Sequence, residues 1–373
     1  MDPQGKESSM DRSYAYIEDE ESLTRFIKEI ESSCYERCAI DTEADSLHCY
    51  EEKLCLIQFA VEDKFAIIDP LSIDDLSILI NFINRTEVWL HGADFDMRML
   101  KRTYGSVPEV VYDTQTASRL LGVKKFGLVN LVEDHFGVVL PKTSQKADWG
   151  QRPLSKKMLE YAVNDVRYLL KMADTLTSRL KQLDRWDWFI ESCESAKESA
   201  SVIKEKDEDQ VWRISGWGKL EQEGMAFLRA LWFWRDGEAE RRDRPAFKII
   251  GNHDLLRFSQ DLQEGVEVKL PSRFPPQPVK RFNKAIESVR ELDQADFPQK
   301  PKRVRGKRDP AAEKKFDKLK NLRDRVSEGL DIDSTLIASR ATLERVAASP
   351  QEAGEILLNW QKSLLIEAID VIQ

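Results

Sequence analysis

The pattern of apolar and polar positions divides the chain at about residue 210. Before it, short apolar runs alternate with helical stripes. Leu23, Phe26, Ile27 and Ile30 recur at the spacing of one helix face and predict a helix over 21–32. Strand-like runs follow at 38–43, 54–61 and 65–68, the last two joined by the hairpin-length turn Glu62-Asp63-Lys64. Asp69-Pro70 closes the hairpin. A helix at 74–84, a strand at 88–91, a helix at 96–104 and a strand at 110–112 come next. Helices at 114–121 and 128–136, an irregular stretch over 141–153 and a long helix over 155–183 complete this part. Hairpin strands followed by alternating strands and helices predict an α/β fold, a mixed sheet flanked by helices. After residue 210 strand signals vanish and helical periodicity dominates, broken by the proline-rich stretch 271–278.

The helical part contains a weak internal repeat. Residues 231–258 align without gaps to 319–346. Leu231, Arg235, Asp236, Glu240, Asp243, Ile249, Leu255 and Arg257 match Leu319, Arg323, Asp324, Glu328, Asp331, Ile337, Leu343 and Arg345. Two small all-helical modules of similar fold are expected. Trp212, Trp217, Trp232 and Trp234 invite base stacking, but their spacing favours a core role.

Composition narrows the class. A length of 373 residues allows two or three domains. No stretch approaches the roughly 18 apolar residues of a membrane span, and the polar first residues do not resemble a signal peptide, so a cytoplasmic protein is expected. Cys34, Cys38, Cys49, Cys55 and Cys193 are an odd number without a Cys-x-x-Cys pair, which predicts reduced thiols and no zinc site. The net charge of -9 argues against coating by nucleic acid. One local exception is the basic run from Lys300, with Lys302, Arg303, Arg305, Lys307 and Arg308 as candidate nucleic-acid contacts or a solvated linker.

The candidate chemistry is acidic. Asp41 and Glu43 lie two apart on a predicted strand and project to one side. Tyr161 and Asp165 lie four apart on a predicted helix and share a face. Asp96 opens its own helix just beyond a strand end. Buried carboxylates need a cation or a donor, and these motifs contain no Lys or Arg. Clustered hard oxygens suit Mg²⁺ or Mn²⁺, and two such ions serve phosphodiester displacement. The tyrosine would stay neutral and orient the attacking water.

These motifs resemble the ribonuclease D family of tyrosine-type DEDD exonucleases. Asp41-Thr42-Glu43, with Leu56-Ile57-Gln58 in the next strand, resembles the first motif. His91-Gly92-x-x-x-Asp96 resembles the second and selects Asp96 over Asp94, which is then a capping or solvated acid. Tyr161-x-x-x-Asp165 resembles the third, with Glu160 where the histidine subgroup carries His. Tyr112-Asp113-Thr114 and Asp148-Trp149-x-x-Arg152-Pro153-Leu154 extend the match, and Ala44 departs from it where an aromatic residue is usual.

The resemblance implies a ribonuclease-H-like exonuclease domain over 15–190, after a disordered stretch over 1–14. It further implies a linker at 191–212, helicase-and-ribonuclease-D C-terminal (HRDC-like) modules at 213–290 and 312–373, and a basic linker at 291–311. Catalytic residues would be Asp41, Glu43, Asp96, Tyr161 and Asp165, with the four acids holding two divalent ions. The implied activity is 3′-to-5′ trimming of RNA, one nucleotide at a time, with release of 5′-monophosphates. Its substrates would be transfer RNA precursors with single-stranded 3′ ends, and no obligate protein partner is implied. A DNA 3′-exonuclease and a catalytically silent RNA-binding protein are the competing readings.

Overall fold

The computed structural model describes residues 14–141, 144–202, 207, 209–301 and 310–372. The basic residues Lys302, Arg303, Arg305, Lys307 and Arg308 lie outside the described residues. The chain forms two compact units. One is drawn from Met1–Glu43, Leu54–Ile203 and Arg305–Gln373, the other from Ala44–Lys53 and Lys204–Val304.

The first unit opens with β1 (Ala15–Ile17), α1 (Glu20–Ser32), β2 (Arg37–Ala44), β3 (Leu54–Val61) and β4 (Lys64–Ile68). Then come α2 (Ser77–Asn84), β5 (Glu87–Leu90), α3 (Asp94–Tyr104), β6 (Val110–Asp113), α4 (Thr114–Leu120) and α5 (Leu128–Phe136). The helices α6 (Lys156–Arg167), α7 (Leu169–Gln182) and α8 (Trp186–Ser201) follow. The strands form one sheet in the order β1-β4-β3-β2-β5-β6. β3 and β4 run antiparallel, whereas the pairs β1–β4, β2–β5 and β5–β6 are parallel. This is the mixed sheet that the pattern predicts.

β3 is buried along its whole length, as its unbroken apolar run requires in a central strand. Phe59 packs edge-to-face on Phe26 of α1 and Phe82 of α2, with ring centroids 5.9 Å apart in each pair. The opposite face of β3 carries Leu56, which packs with Ala162 and Val163 of α6. Each such buried apolar side chain contributes roughly 1.5–3 kcal/mol. The sheet is therefore covered on both faces.

Three features depart from the pattern. β1 is too short to leave a periodic signal, and pairing with β4 defines it. The long helix over 155–183 is two helices. Tyr168 interrupts it with φ -105 and ψ -7. The segment after 190, expected as a linker, continues α8 to Ser201 because Phe189 and Cys193 are buried against the sheet.

The second unit holds α9 (Gln222–Arg241), α10 (Ala246–Ile249), α11 (Asn252–Gln263) and α12 (Pro276–Arg290). Trp212 and Trp234 are buried in its core, and Trp217 and Trp232 pack against it. The loop segment Ala44–Lys53 belongs here, with the Tyr50 hydroxyl donating to Asp236 at 2.8 Å. The last helices belong to the first unit: α13 (Pro310–Leu330), α14 (Ser334–Ile337), α15 (Arg340–Ala348), α16 (Ala353–Ile356) and α17 (Asn359–Ile372). They share one core with α7 and α8. Trp188 stacks on Trp360 at 5.0 Å, and Glu191 accepts from the backbone N–H groups of Asn359 and Trp360.

The internal repeat has a structural cause in each copy. Arg235 and Arg323 are both buried and donate to the carbonyls that end α10 and α14, at Ile250 and Ala338. Asp243 and Asp331 both take left-handed φ values, 43° and 51°, at the turn after the first long helix. Leu231 and Leu319, Ile249 and Ile337, and Leu255 and Leu343 are matching core positions. Among the described residues, no helix is long and apolar enough to cross a membrane. Among the described residues the five cysteines form no disulfide, and Cys38, Cys55 and Cys193 are buried.

Candidate active site

The site forms where β2 meets α6. Strand alternation turns Asp41 and Glu43 to the α6 side of the sheet, and one helical turn brings Tyr161 level with Asp165. Asp41, Glu43 and Asp165 each offer a carboxylate oxygen, and these oxygens lie within 4.8 Å of one another. Among the described residues, no Lys or Arg forms an ion pair with any of the three. The set is dense in hard oxygen, lacks a counter-charge and is half-buried. It fits divalent cations such as Mg²⁺ or Mn²⁺.

Asp96 comes from α3 and is nearly fully buried. Its carboxylate accepts from the Thr42 hydroxyl at 2.5 Å. It is not among the three acids with closely grouped oxygens, but its charge acts on Asp41, Glu43 and Asp165. Asp94, two residues earlier, is exposed and held in a two-pronged ion pair by Arg98 at 2.8 and 2.9 Å. The structure thus separates the two aspartates, one facing the cluster and one facing solvent.

Crowding shows in the acidities. Burial, then repulsion from Asp96, Asp165 and Glu43, holds Asp41 well above the carboxylate range. Burial and the charges of Asp165 and Asp96 push Glu43 up to about 9. Asp96 and Asp165 rise to about 7, in both cases through burial. Hydrogen bonds from Thr42 and Tyr161, respectively, moderate those two rises. Burial first, then the acids around it, raises Tyr161 far above the ordinary phenol value. The phenol is therefore neutral, a donor to Asp165.

Neighbouring residues hold these groups in place. Gly92 takes φ +77 at the turn from β5 into α3, a conformation that disfavours side chains. Its N–H donates to Asp113 at 2.8 Å, and Asp113 also caps α4 through the Gln115 N–H. Thr114 bonds the Leu90 carbonyl and His91 Nδ1, each at 2.9 Å. Burial lowers the pKa of His91, which keeps this ring neutral. Asp113 and Thr114 thus lock the turn that launches Asp96.

Arg152 secures the other side. It grips the buried Asp69 at 2.5 and 2.6 Å and donates to the Trp149 and Cys55 carbonyls. Tyr16 also donates to Asp69. Burial alone would raise Asp69, but these bonds leave it below the ordinary carboxylate value. Trp149, fully buried, lies 6.0 Å from the Tyr161 ring. Thr42 escaped sequence reasoning because alternation assigns it to the face opposite Asp41. Asp113 had a readable signal as a helix N-cap residue.

Residues 14–181 match the family described as 3′-5′ exonuclease. The chain carries a 3′-5′ exonuclease domain. This makes it a hydrolase of phosphodiester bonds, and every acid of the cluster lies inside that domain. Beyond it, the whole chain is similar to ribonuclease D. It is 28% identical to ribonuclease D of Sphingobium indicum over 96% of this chain and 94% of that protein. It is 29% identical to ribonuclease D of Xanthomonas oryzae over 88% of this chain and 91% of that protein. The fold is that of Escherichia coli RNase D, described as an exoribonuclease involved in structured RNA processing. The TM-score is 0.72 at 23% identity, over 96% of this chain and 98% of that one. The exonuclease domain accounts for β1 to α7, and the similarity to ribonuclease D continues through the helices that follow.

Proposed function

We propose that the protein is a 3′-to-5′ exoribonuclease that shortens RNA from its 3′ end, one nucleotide at a time, and releases 5′-monophosphates. The observation that carries this reading is the grouping of Asp41, Glu43 and Asp165 oxygens within 4.8 Å without a cationic partner, beside the neutral Tyr161. Asp41, Glu43, Asp96 and Asp165 hold two divalent ions, Mg²⁺ or Mn²⁺. When bound, the ions supply positive charge for the attacking and leaving oxygens of an in-line displacement. Tyr161 holds the attacking water by its hydroxyl, and Asp165 fixes the direction of that hydroxyl.

The preference for RNA rests on likeness to proteins named ribonuclease D over most of their length. The expected substrates are transfer RNA precursors with single-stranded 3′ ends. The two HRDC-like helical modules are assigned to the body of the RNA, and Lys302, Arg303, Arg305, Lys307 and Arg308 to its phosphates. Cytoplasmic action fits that substrate.

The test is cleavage of an end-labelled transfer RNA with an extended 3′ tail in Mg²⁺, Mn²⁺ or EDTA, with Asp165→Asn as control. Stepwise trimming that EDTA and the variant abolish supports the proposal. Faster degradation of single-stranded DNA overturns the RNA assignment, and binding without trimming overturns the catalytic one. Neutralising Lys302, Arg303 and Arg305 should weaken RNA binding and flatten its salt dependence. Unchanged binding returns them to a linker.

A further inference from the structure

Gln58 is a polar residue at the centre of β3 with no solvent exposure. Neither Nε2 nor Oε1 has a hydrogen-bond partner among the described residues. Its neighbours on the strand are apolar and packed. A buried amide without partners lowers stability, and an apolar side chain of the same shape would not carry that penalty. The fold therefore gains nothing from this carboxamide.

The position of Gln58 suggests what gains from it. Phe59 faces α1 and α2, so Gln58 faces the other way. It pairs in register with Ile67, which packs with Leu56, Ala162 and Val163 under α6. Helix α6 carries Tyr161 and Asp165. β2, adjacent to β3 in the sheet, turns Asp41 and Glu43 to the same side. The unsatisfied amide thus lies on the sheet face that forms the floor of the acidic cluster.

We propose that Gln58 is a positioning residue of this cluster, a donor from below to a carboxylate once cations draw the acids together. The inference rests on the exonuclease reading. Its chemistry is that of an outer partner of metal ligands, a donor that fixes the orientation of a coordinating oxygen. Retaining a destabilising polar group in an apolar layer is the expected mark of such a role.

Gln58→Met in the full chain keeps the length and apolar stem while removing the amide. Leu56→Met, on the same face, is the packing control. Four quantities are measured: the melting temperature in EDTA, the affinity for Mn²⁺ by calorimetry without RNA, and kcat and KM for trimming. The expected result for Gln58→Met is an unchanged or higher melting temperature, with Mn²⁺ affinity and kcat each lower on the order of 10-fold. KM and the control should stay near wild type. Wild-type Mn²⁺ affinity and kcat in Gln58→Met overturn the inference. So does a lower melting temperature with undiminished Mn²⁺ affinity, which would make Gln58 a packing residue. A wild-type chain that neither binds Mn²⁺ nor trims RNA would overturn the exonuclease reading instead.

Discussion

Thr42 donates its hydroxyl to Asp96 across 2.5 Å, so a residue between two site acids, on the opposite face of the same strand, anchors a third acid. The bond favours the ionised form of Asp96 and partly offsets the effect of burial. Thr42→Val preserves the shape and removes the donor. Asp96 should then titrate further above about 7, moving the acid limb of kcat/KM to higher pH. Activity at neutral pH should fall roughly 10-fold or more, the usual effect of losing one hydrogen bond to a charged group. A pH–rate profile that superimposes on wild type would refute this role.

The acid cluster also sets a pH dependence of stability. Asp96 and Asp165 titrate at about 7 and Glu43 at about 9, against ordinary carboxylate values near 4. Across that window the folded chain holds more protons than the unfolded one, so the contribution of these groups to stability falls as pH rises. In EDTA the melting temperature should decline from about pH 5 to about pH 9, and Mn²⁺ should restore most at the alkaline end. Asp165→Asn should flatten the decline and raise the metal-free melting temperature while abolishing trimming. Thermal scans across pH with both proteins decide the matter.

Tyr161→Phe keeps the ring beside Trp149 and removes only the hydroxyl. Water orientation should be lost while the carboxylates remain, so kcat should drop by about 10²-fold or more. Mn²⁺ affinity should stay within about threefold, because no ligand is removed. A parallel loss of Mn²⁺ binding would make Tyr161 a structural partner of Asp165 instead.

Gly122 follows α4 with φ +79, and a Cβ there would meet the Asp331 carbonyl oxygen at 2.2 Å. Arg185 closes the same junction by donating to the Leu120 and Leu330 carbonyls. Gly122→Ala must therefore strain the backbone and push α13 from the sheet domain. Its melting temperature should fall by several degrees. An unchanged value would show that this contact yields freely.

The sheet and the shared faces of Asp41 with Glu43 and of Tyr161 with Asp165 were legible in the sequence because both rest on local periodicity, whereas Asp96 was reached through resemblance to the second motif. The run over 54–61 reads as a strand, and Asp41 with Glu43 reads as one face of a strand. The repeat was legible too, since Arg235 and Arg323 perform one local task twice. The periodic pattern runs on through the break at Tyr168, and β1 was not legible, because pairing with the distant β4 decides it. The same holds for the end of α8, which owes its length to burial against the sheet.

Residue order alone determined which acids stand in the candidate motifs and which of them share a face. Only the tertiary structure decided their distances and the shielding from water that raises their pKa values. It also decided that the last helices share a core with the exonuclease domain, whereas the repeat they resemble lies in the other unit. Periodicity records which way a side chain points relative to its own element. Burial and electrostatic coupling depend on what other elements bring to that face, and Thr42, Arg152 and Gln58 take their meaning from such neighbours.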